Sequence, residues 1–284
     1  MSVALANLAG RAVVVRAARA ADVESVSGGR FGADPMAALE AWDSFVAWAG
    51  GLPEEVFEQA IEPRRLGPPV PRPRKVIAVG VNYRAHAEEA GMELPKQPMI
   101  FTKFPNCLVG PRADIVLSSD TVDWEVELVV VMGRRARNVP AERALGCVAG
   151  YCVGQDVSDR RMQFADKPPQ FSLGKSLDTF GPLGPAVVTL DAVHDPNDLA
   201  LWCDIDGAVM QDGRTSDMIF AVPELIAFLS ARLPLDAGDL IFTGTPAGVG
   251  STRNPRRYLK PGEIVTSTIE GLGSLVNRCV EIST

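Results

Sequence analysis

The run DWEVELVVVMG, residues 123–133, constrains the fold more than any other stretch of the chain. From Val126 onward it is a series of strand formers closed by Gly133, so it reads as a β-strand. Its leading end carries Asp123, Glu125 and Glu127 at alternate positions. On a continuous strand these fall on one face, with neighbours about 6.6 Å apart at a rise near 3.3 Å per residue. Like charges beside an apolar core have two physical outcomes. They lie in water on an exposed face, or they hold a cation.

Similar apolar runs recur at 76–82, 149–157, 185–190, 199–206, 239–244, 263–270 and 275–282, while helical spacing is confined to about 83–91, 140–146 and 222–232. Pro223 suits a first-turn position in the last of these. Strands and helices do not alternate strictly, which favours a β-rich mixed α+β fold over a doubly wound parallel sheet. Ahead of these runs, residues 1 to about 65 read as a small leading unit. In it 12–16 is strand-like, and DPMAALEAWDSFVAWAGGLPEEVFEQAIE is helical apart from a break at Gly50–Pro53. LGPPVPRPRK, with its clustered prolines, reads as a stiff linker. The expected division is 1–70 for the small N-terminal unit with its linker and 71–284 for the main domain.

The chain has 284 residues, is 46% hydrophobic and 22% charged, and carries a net charge of −7. That balance argues against nucleic acid or an anionic membrane as partner. No apolar run approaches the roughly 20 residues that span a bilayer. The start, MSVALANLAGRAVVVRAARAAD, is interrupted by Arg11, Arg16 and Arg19 and shows no secretory signal. Five cysteines without a CxxC pair suggest thiols in a reducing compartment, and a cytoplasmic location is expected. With only two histidines, His86 and His194, a zinc site of His and Cys is disfavoured. Any metal then sits among oxygens.

Asp156 follows the strand-like AGYCVGQ and supplies a third carboxylate. Three convergent carboxylates repel one another in a low-dielectric pocket unless a cation lies between them. All-oxygen ligands suit Mg²⁺, Mn²⁺ or Ca²⁺. In VIAVGVNYRAHAEEAG a strand gives way to a helix that Asn82 is placed to cap. His86 and Glu89 then lie at i and i+3, where the carboxylate can orient the imidazole as a base. A surface His–Glu pair is the plainer alternative, and His194 in VHDPND reads as a surface turn. Arg160 and Gln163 in DRRMQ and Lys175 in GKSLDTF offer contacts to an anionic substrate. IFTGTPAGVG offers free backbone N–H groups in a glycine-rich turn.

These segments, in this order, resemble the fumarylacetoacetate hydrolase family. The likeness rests on VGVNYRAHAEE, PMIFTKFPNCLVGP, DWEVELVVVMG, GYCVGQDVSDRRMQ, GKSLDTFGPLGP and IFTGTPAGVG. It implies a β-sandwich or roll, a homodimer, and a divalent ion held by Glu125, Glu127 and Asp156, with Asp123 a neighbour. His86 and Glu89 match the water-activating dyad. Arg160 and Gln163 match substrate-binding positions, Lys175 a catalytic lysine, and Thr245 the loop that meets a substrate carboxylate. The implied activity is metal-dependent C–C hydrolysis of a 1,3-diketo acid of the acylpyruvate type. Alternatives on the same site are oxaloacetate decarboxylation or isomerisation of a hydroxymuconate-like diacid, and in another class a non-catalytic binding protein. Gln155, Asp159 and Arg161 depart from the family pattern NDVSARDxQ and, with the N-terminal unit, are the expected seat of substrate preference.

Overall fold

In the computed structural model, which describes residues 2–282 apart from 194 and 196, the apolar runs form two principal sheets. His194, expected in a surface turn, lies outside the described residues. Val126–Met132 is buried along its whole length and lies at the heart of the larger sheet. It pairs antiparallel with Val148–Gln155 on one side and with Leu240–Phe242 on the other. Burial on both faces is why its sequence is a near-continuous apolar run; each such side chain contributes about 1.5–3 kcal/mol on leaving water. One face packs on the second sheet, in which the order is Ala208–Arg214, Ala200–Ile205, Ile264–Ile269, Gly273–Glu281 and Ile115–Leu117. The expected β-rich sandwich with few helices is what the chain forms.

Strand direction brings the chemistry-bearing residues together. Leu240–Phe242 runs parallel to Val76–Gly80, so both strands end at the same edge of the sheet. Val126–Met132 is antiparallel to Leu240–Phe242, so its N-terminus lies at that edge, and the C-terminus of Val148–Gln155 joins it there. Four segments therefore leave or enter at one place: the helix Arg84–Glu89, the loop after Phe242, the acidic stretch before Val126, and Asp156.

The leading residues extend this same sheet. Ala4–Leu8 pairs antiparallel with Gly181–Val188, and Arg11–Arg16 and Arg19–Asp22 follow beyond it. The Pro-rich stretch is not wholly free, because Leu66–Gly67 pairs with Ala4–Leu8. Helices Pro35–Glu40 and Trp42–Ala49 cover this end, with Phe45 fully buried and in aromatic contact with Phe31, Trp42 and Trp48. Among the described residues no helix is long and apolar enough to cross a membrane.

Two local expectations need correction. DWEVELVVVMG is not one strand: Val122–Asp123 pairs with Ser158–Asp159, and the ladder resumes only at Val126. Side chains replace the interrupted backbone bonds, since Glu125 N–H donates to Gln155 Oε1 (2.6 Å) and Val126 N–H to Gln211 Oε1 (3.0 Å). Nor does Asn82 cap the following helix, whose first flanking residue is Tyr83. The Asn82 amide instead donates to Phe220 O and Thr243 O and accepts from Phe220 N–H. It ties the helix entrance to the loop that follows the Leu240–Phe242 strand.

Candidate active site

Glu125, Glu127 and Asp156 are buried and each offers a carboxylate oxygen within 4.8 Å of the others. Backbone pairing sets this meeting: Asp156 N–H donates to Glu125 O (2.9 Å), one step beyond the Val126–Gln155 pair. The glycine-rich loop closes the other side. Thr243 Oγ1 donates to Leu128 O and Thr245 Oγ1 to Val126 O, fastening the loop along the acidic strand. Between them Gly244 N–H donates to Glu127 Oε2 (2.8 Å). Gly244 has φ +98°, and a Cβ there would stand 2.8 Å from Asn82 Cβ, so only glycine fits.

Three buried cations serve this cluster. Lys175 Nζ donates to Glu125 Oε2 (2.8 Å) and Asp156 Oδ2 (2.7 Å). Arg160 bridges Glu125 Oε1 (2.7 Å) and Asp123 Oδ2 (2.8 Å), and its remaining fork reaches Gln163 Oε1 (2.8 Å). Lys103, only 1% exposed, donates to Asp156 Oδ1 (2.7 Å), to Phe180 O and to Lys175 O. Asp123 is not a member of the carboxylate triad. It accepts from Gly250 N–H and Ser251 N–H, anchoring the far end of the glycine-rich loop as well as Arg160.

Four carboxylates thus share three cations, and the unbalanced charge falls on Glu127. Burial, followed by the charges of Asp156 and Glu125, pushes the Glu127 carboxyl well above the ordinary range. Burial acts the same way on Glu125, but Lys175 and Arg160 outweigh it and hold that carboxyl down at about 2. Burial disfavours the Lys175 ammonium, yet Asp156 and Glu125 prevail and raise its pKa. Three hard oxygen donors with one excess negative charge fit a divalent cation of the Mg²⁺, Mn²⁺ or Ca²⁺ kind.

This imbalance gives a measurable result. Glu127 binds its proton more tightly folded than unfolded, so its contribution to stability is present at low pH and lost as pH rises above the ordinary carboxylate range. A cation on the triad reverses that loss. At 100 times its dissociation constant a ligand adds about 2.7 kcal/mol. We expect Mn²⁺ to raise the melting temperature of metal-stripped protein more at pH 8 than at pH 5. An equal rise at both values, or none, would count against the triad as the cation site.

His86 and Glu89 stand over the same cavity on the Arg84–Glu89 helix, with Nδ1 3.4 Å from Glu89 Oε2. Gly248 N–H donates to both Glu89 oxygens (3.1 and 3.0 Å), fixing the carboxylate from the glycine-rich loop. Burial raises the Glu89 carboxyl, but the His86 and Gly248 bonds overcome it and leave the pKa lowered. A charged Glu89 on Nδ1–H leaves Nε2 of a neutral imidazole free to accept a proton.

The cavity measures about 380 Å³ and is lined by His86, Glu125, Glu127, Arg160, Gln163, Lys175 and Thr245. The residues put forward from the sequence as metal-holding, catalytic or substrate-binding therefore reach one site, Asp156 and Glu89 from just behind its wall. Thr245 does so differently from expectation. Its hydroxyl already donates to Val126 O and accepts from Gln211 Nε2 (2.7 Å), so it braces the loop.

The proposed seat of selectivity is elsewhere, since Gln155, Asp159 and Arg161 are not on the cavity wall. Gln155 is fully buried and points to Ser267 Oγ (2.8 Å) in the second sheet. Asp159 caps the short helix Arg160–Gln163, and Arg161 is exposed and paired with Asp120. Sequence reasoning also missed Lys103 and Gln211. The lysine sits in PMIFTKFPN, where only its position just after a mostly apolar strand, Met99–Thr102, hinted at a buried cation, and nothing local marked Gln211.

Residues 75–280 match the profile described as fumarylacetoacetate (FAA) hydrolase C-terminal, and the chain belongs to that family. Bovine oxaloacetate tautomerase FAHD2A, a mitochondrial protein, is 47% identical over 214 residues, covering 75% of this chain and 68% of that one. A crystal structure from Mycobacterium smegmatis is 46% identical and superposes over the whole of both chains with a TM-score of 0.94. Maleylpyruvate hydrolase from Sphingobium sp. SYK-6, solved with manganese(II) and pyruvate, is 29% identical over 98% of this chain and 99% of that one, with a TM-score of 0.79.

Proposed function

We propose that this chain is a divalent-metal-dependent enzyme that moves a proton at the carbon beside the carbonyl of a 2-oxo acid, interconverting keto and enol forms. The carrying observation is a single His–Glu dyad over the same cavity as a carboxylate triad with one unbalanced charge. Glu125, Glu127 and Asp156 would hold the ion, Mg²⁺ or Mn²⁺. When bound, it would polarise the 2-oxo acid's oxygens as a Lewis acid. His86 Nε2 takes the proton from carbon and delivers it to the carbonyl oxygen, which becomes the enol hydroxyl, and carries it back in the reverse direction, while Glu89 keeps the ring in the one useful tautomer. Lys175 spends two of its three N–H donors on Glu125 and Asp156, and the third remains for an oxygen that gains charge. The oxaloacetate tautomerase relative supports this reading.

C–C hydrolysis of an acylpyruvate is the second reading, because the same dyad can draw a proton from water, and the maleylpyruvate hydrolase neighbour favours it. The two separate in one experiment. Metal-stripped protein is mixed with the enol form of oxaloacetate or with acetylpyruvate, with and without Mg²⁺, following enol absorbance and product NMR. Metal-dependent loss of enol without carbon loss supports the tautomerase. Release of acetate and pyruvate moves the activity to hydrolase, and carbon dioxide release moves it to decarboxylase. Lys175→Ala should lower turnover by roughly 100- to 1000-fold, the usual loss for one donor to a developing oxyanion. Near-normal turnover would remove the lysine from that role. On the unpaired thiols we place the enzyme in a reducing compartment such as the cytoplasm, acting as a homodimer on a small oxo acid.

A further inference from the structure

We propose a second ligand site, which takes the phosphate group of a small molecule in a cleft of three arginines between the leading residues and the second sheet. The cleft measures about 420 Å³ and has no residue in common with the active-site cavity. Arg64, Arg112 and Arg278 line it against a single carboxylate, Asp114. Among the described residues, none of these four side chains makes a hydrogen bond or an ion pair. Another cavity, beside the leading helices, behaves differently. It sets four arginines against four carboxylates, and Arg72, Arg134 and Arg135 are in ion pairs there. In a protein of net charge −7, three arginines facing one aspartate make a local exception.

The three guanidinium groups come from backbone that is fixed on every side. Arg278 lies on Gly273–Glu281, opposite Ile264 in the antiparallel ladder. Arg112 lies in the loop before Ile115–Leu117. That loop is tied to the same strand, since Val276 N–H donates to Pro111 O (2.8 Å) and the Asn277 amide to Ala113 O (2.7 Å). Arg64 belongs to the turn Pro63–Arg65, held where Ala9 N–H donates to Arg65 O (2.8 Å) and Leu66–Gly67 pairs with Ala4–Leu8. Gly110 closes the junction, because a Cβ there would collide with Leu66 O. Like charges fixed around one cleft repel, and an anion between them removes the repulsion. The excess of two positive charges matches a phosphate dianion, and guanidinium forks match its three free oxygens. A phosphate bound here joins the leading residues to the second sheet.

The test is calorimetry on the full chain, stripped of metal so that no ion competes for the probes. These are inorganic phosphate, pyrophosphate and glycerol 3-phosphate, with acetate at matched ionic strength as the comparison. Saturable binding of the phosphates at one site per chain is expected, and none of acetate. Tightest binding of glycerol 3-phosphate assigns the site to a phosphate ester, and tightest binding of either inorganic probe assigns it to free phosphate or its oligomers. Arg112→Gln combined with Arg278→Gln should weaken binding at least about tenfold, since each change removes a charge-assisted bond. Neither side chain has a partner to lose, so the melting temperature without anion should hold. Arg64→Gln, on an exposed turn, is the independent second variant and should weaken binding in the same direction. Unchanged binding in these variants would put the anion elsewhere, as on Arg160 and Lys175, and overturn the proposal. Absence of phosphate binding, or equal binding of acetate, would overturn it as well.

Discussion

His86→Ala should lower turnover by about 10²- to 10⁴-fold, the usual worth of a positioned acid–base group, while Mn²⁺ affinity stays near that of the unaltered protein. The separation follows from geometry. His86 is bonded to Glu89 and not to the carboxylate triad, so removing the ring leaves every hydrogen bond of Glu125, Glu127 and Asp156 in place. Glu89→Gln tests the same dyad from behind. The amide keeps its size and can still accept from Nδ1–H, but it loses the charge that stabilises a protonated ring. Its loss should be smaller than that of His86→Ala. A His86→Ala enzyme with full activity would remove the histidine from the chemistry whichever reaction is catalysed.

Lys103→Met is expected to act on the fold itself, destabilising it by about 3–5 kcal/mol, the cost of stripping one partner from a buried ion pair. Methionine matches the length of the stem but leaves Asp156 Oδ1, Phe180 O and Lys175 O without their shared donor. The site would then hold one more unbalanced negative charge. A melting temperature lower by roughly 6–20 °C is expected, with a larger Mn²⁺-induced rise than in the unaltered protein. A drop worth less than about 1 kcal/mol would mean that water or Lys175 takes over the lysine's bonds.

Much of this molecule is legible in its sequence, and the reasons are physical. The eight apolar runs became strands because burial demands apolar side chains at almost every position, as in Val126–Met132. The carboxylates, the dyad and Lys175 were visible because their side chains have few uses in a core other than chemistry. Hidden were contacts that depend on partners remote in the chain. Lys103 meets Asp156 across 53 positions, and Gln211 reaches Val126 across 85. The strand break at Trp124–Glu125 was hidden for the same reason, since the glutamines that repair it lie on other strands. Gln155 misled because its neighbour in sequence, Asp156, faces the site while its own side chain faces the second sheet.

The pairing of Ala4–Leu8 with Gly181–Val188 has a consequence for how the sheet meets other molecules. The matched family profile begins at residue 75, yet a chain cut there would leave the Gly181–Val188 strand with a row of bare amides and carbonyls over that part of its length. Such an edge invites strands from other molecules. The leading residues thus serve as a guard rail: among the described residues they contribute no side chain to the cavity wall, but they cover the Gly181–Val188 flank of the catalytic sheet and move that open edge outward to the short strand Gln59–Ala60.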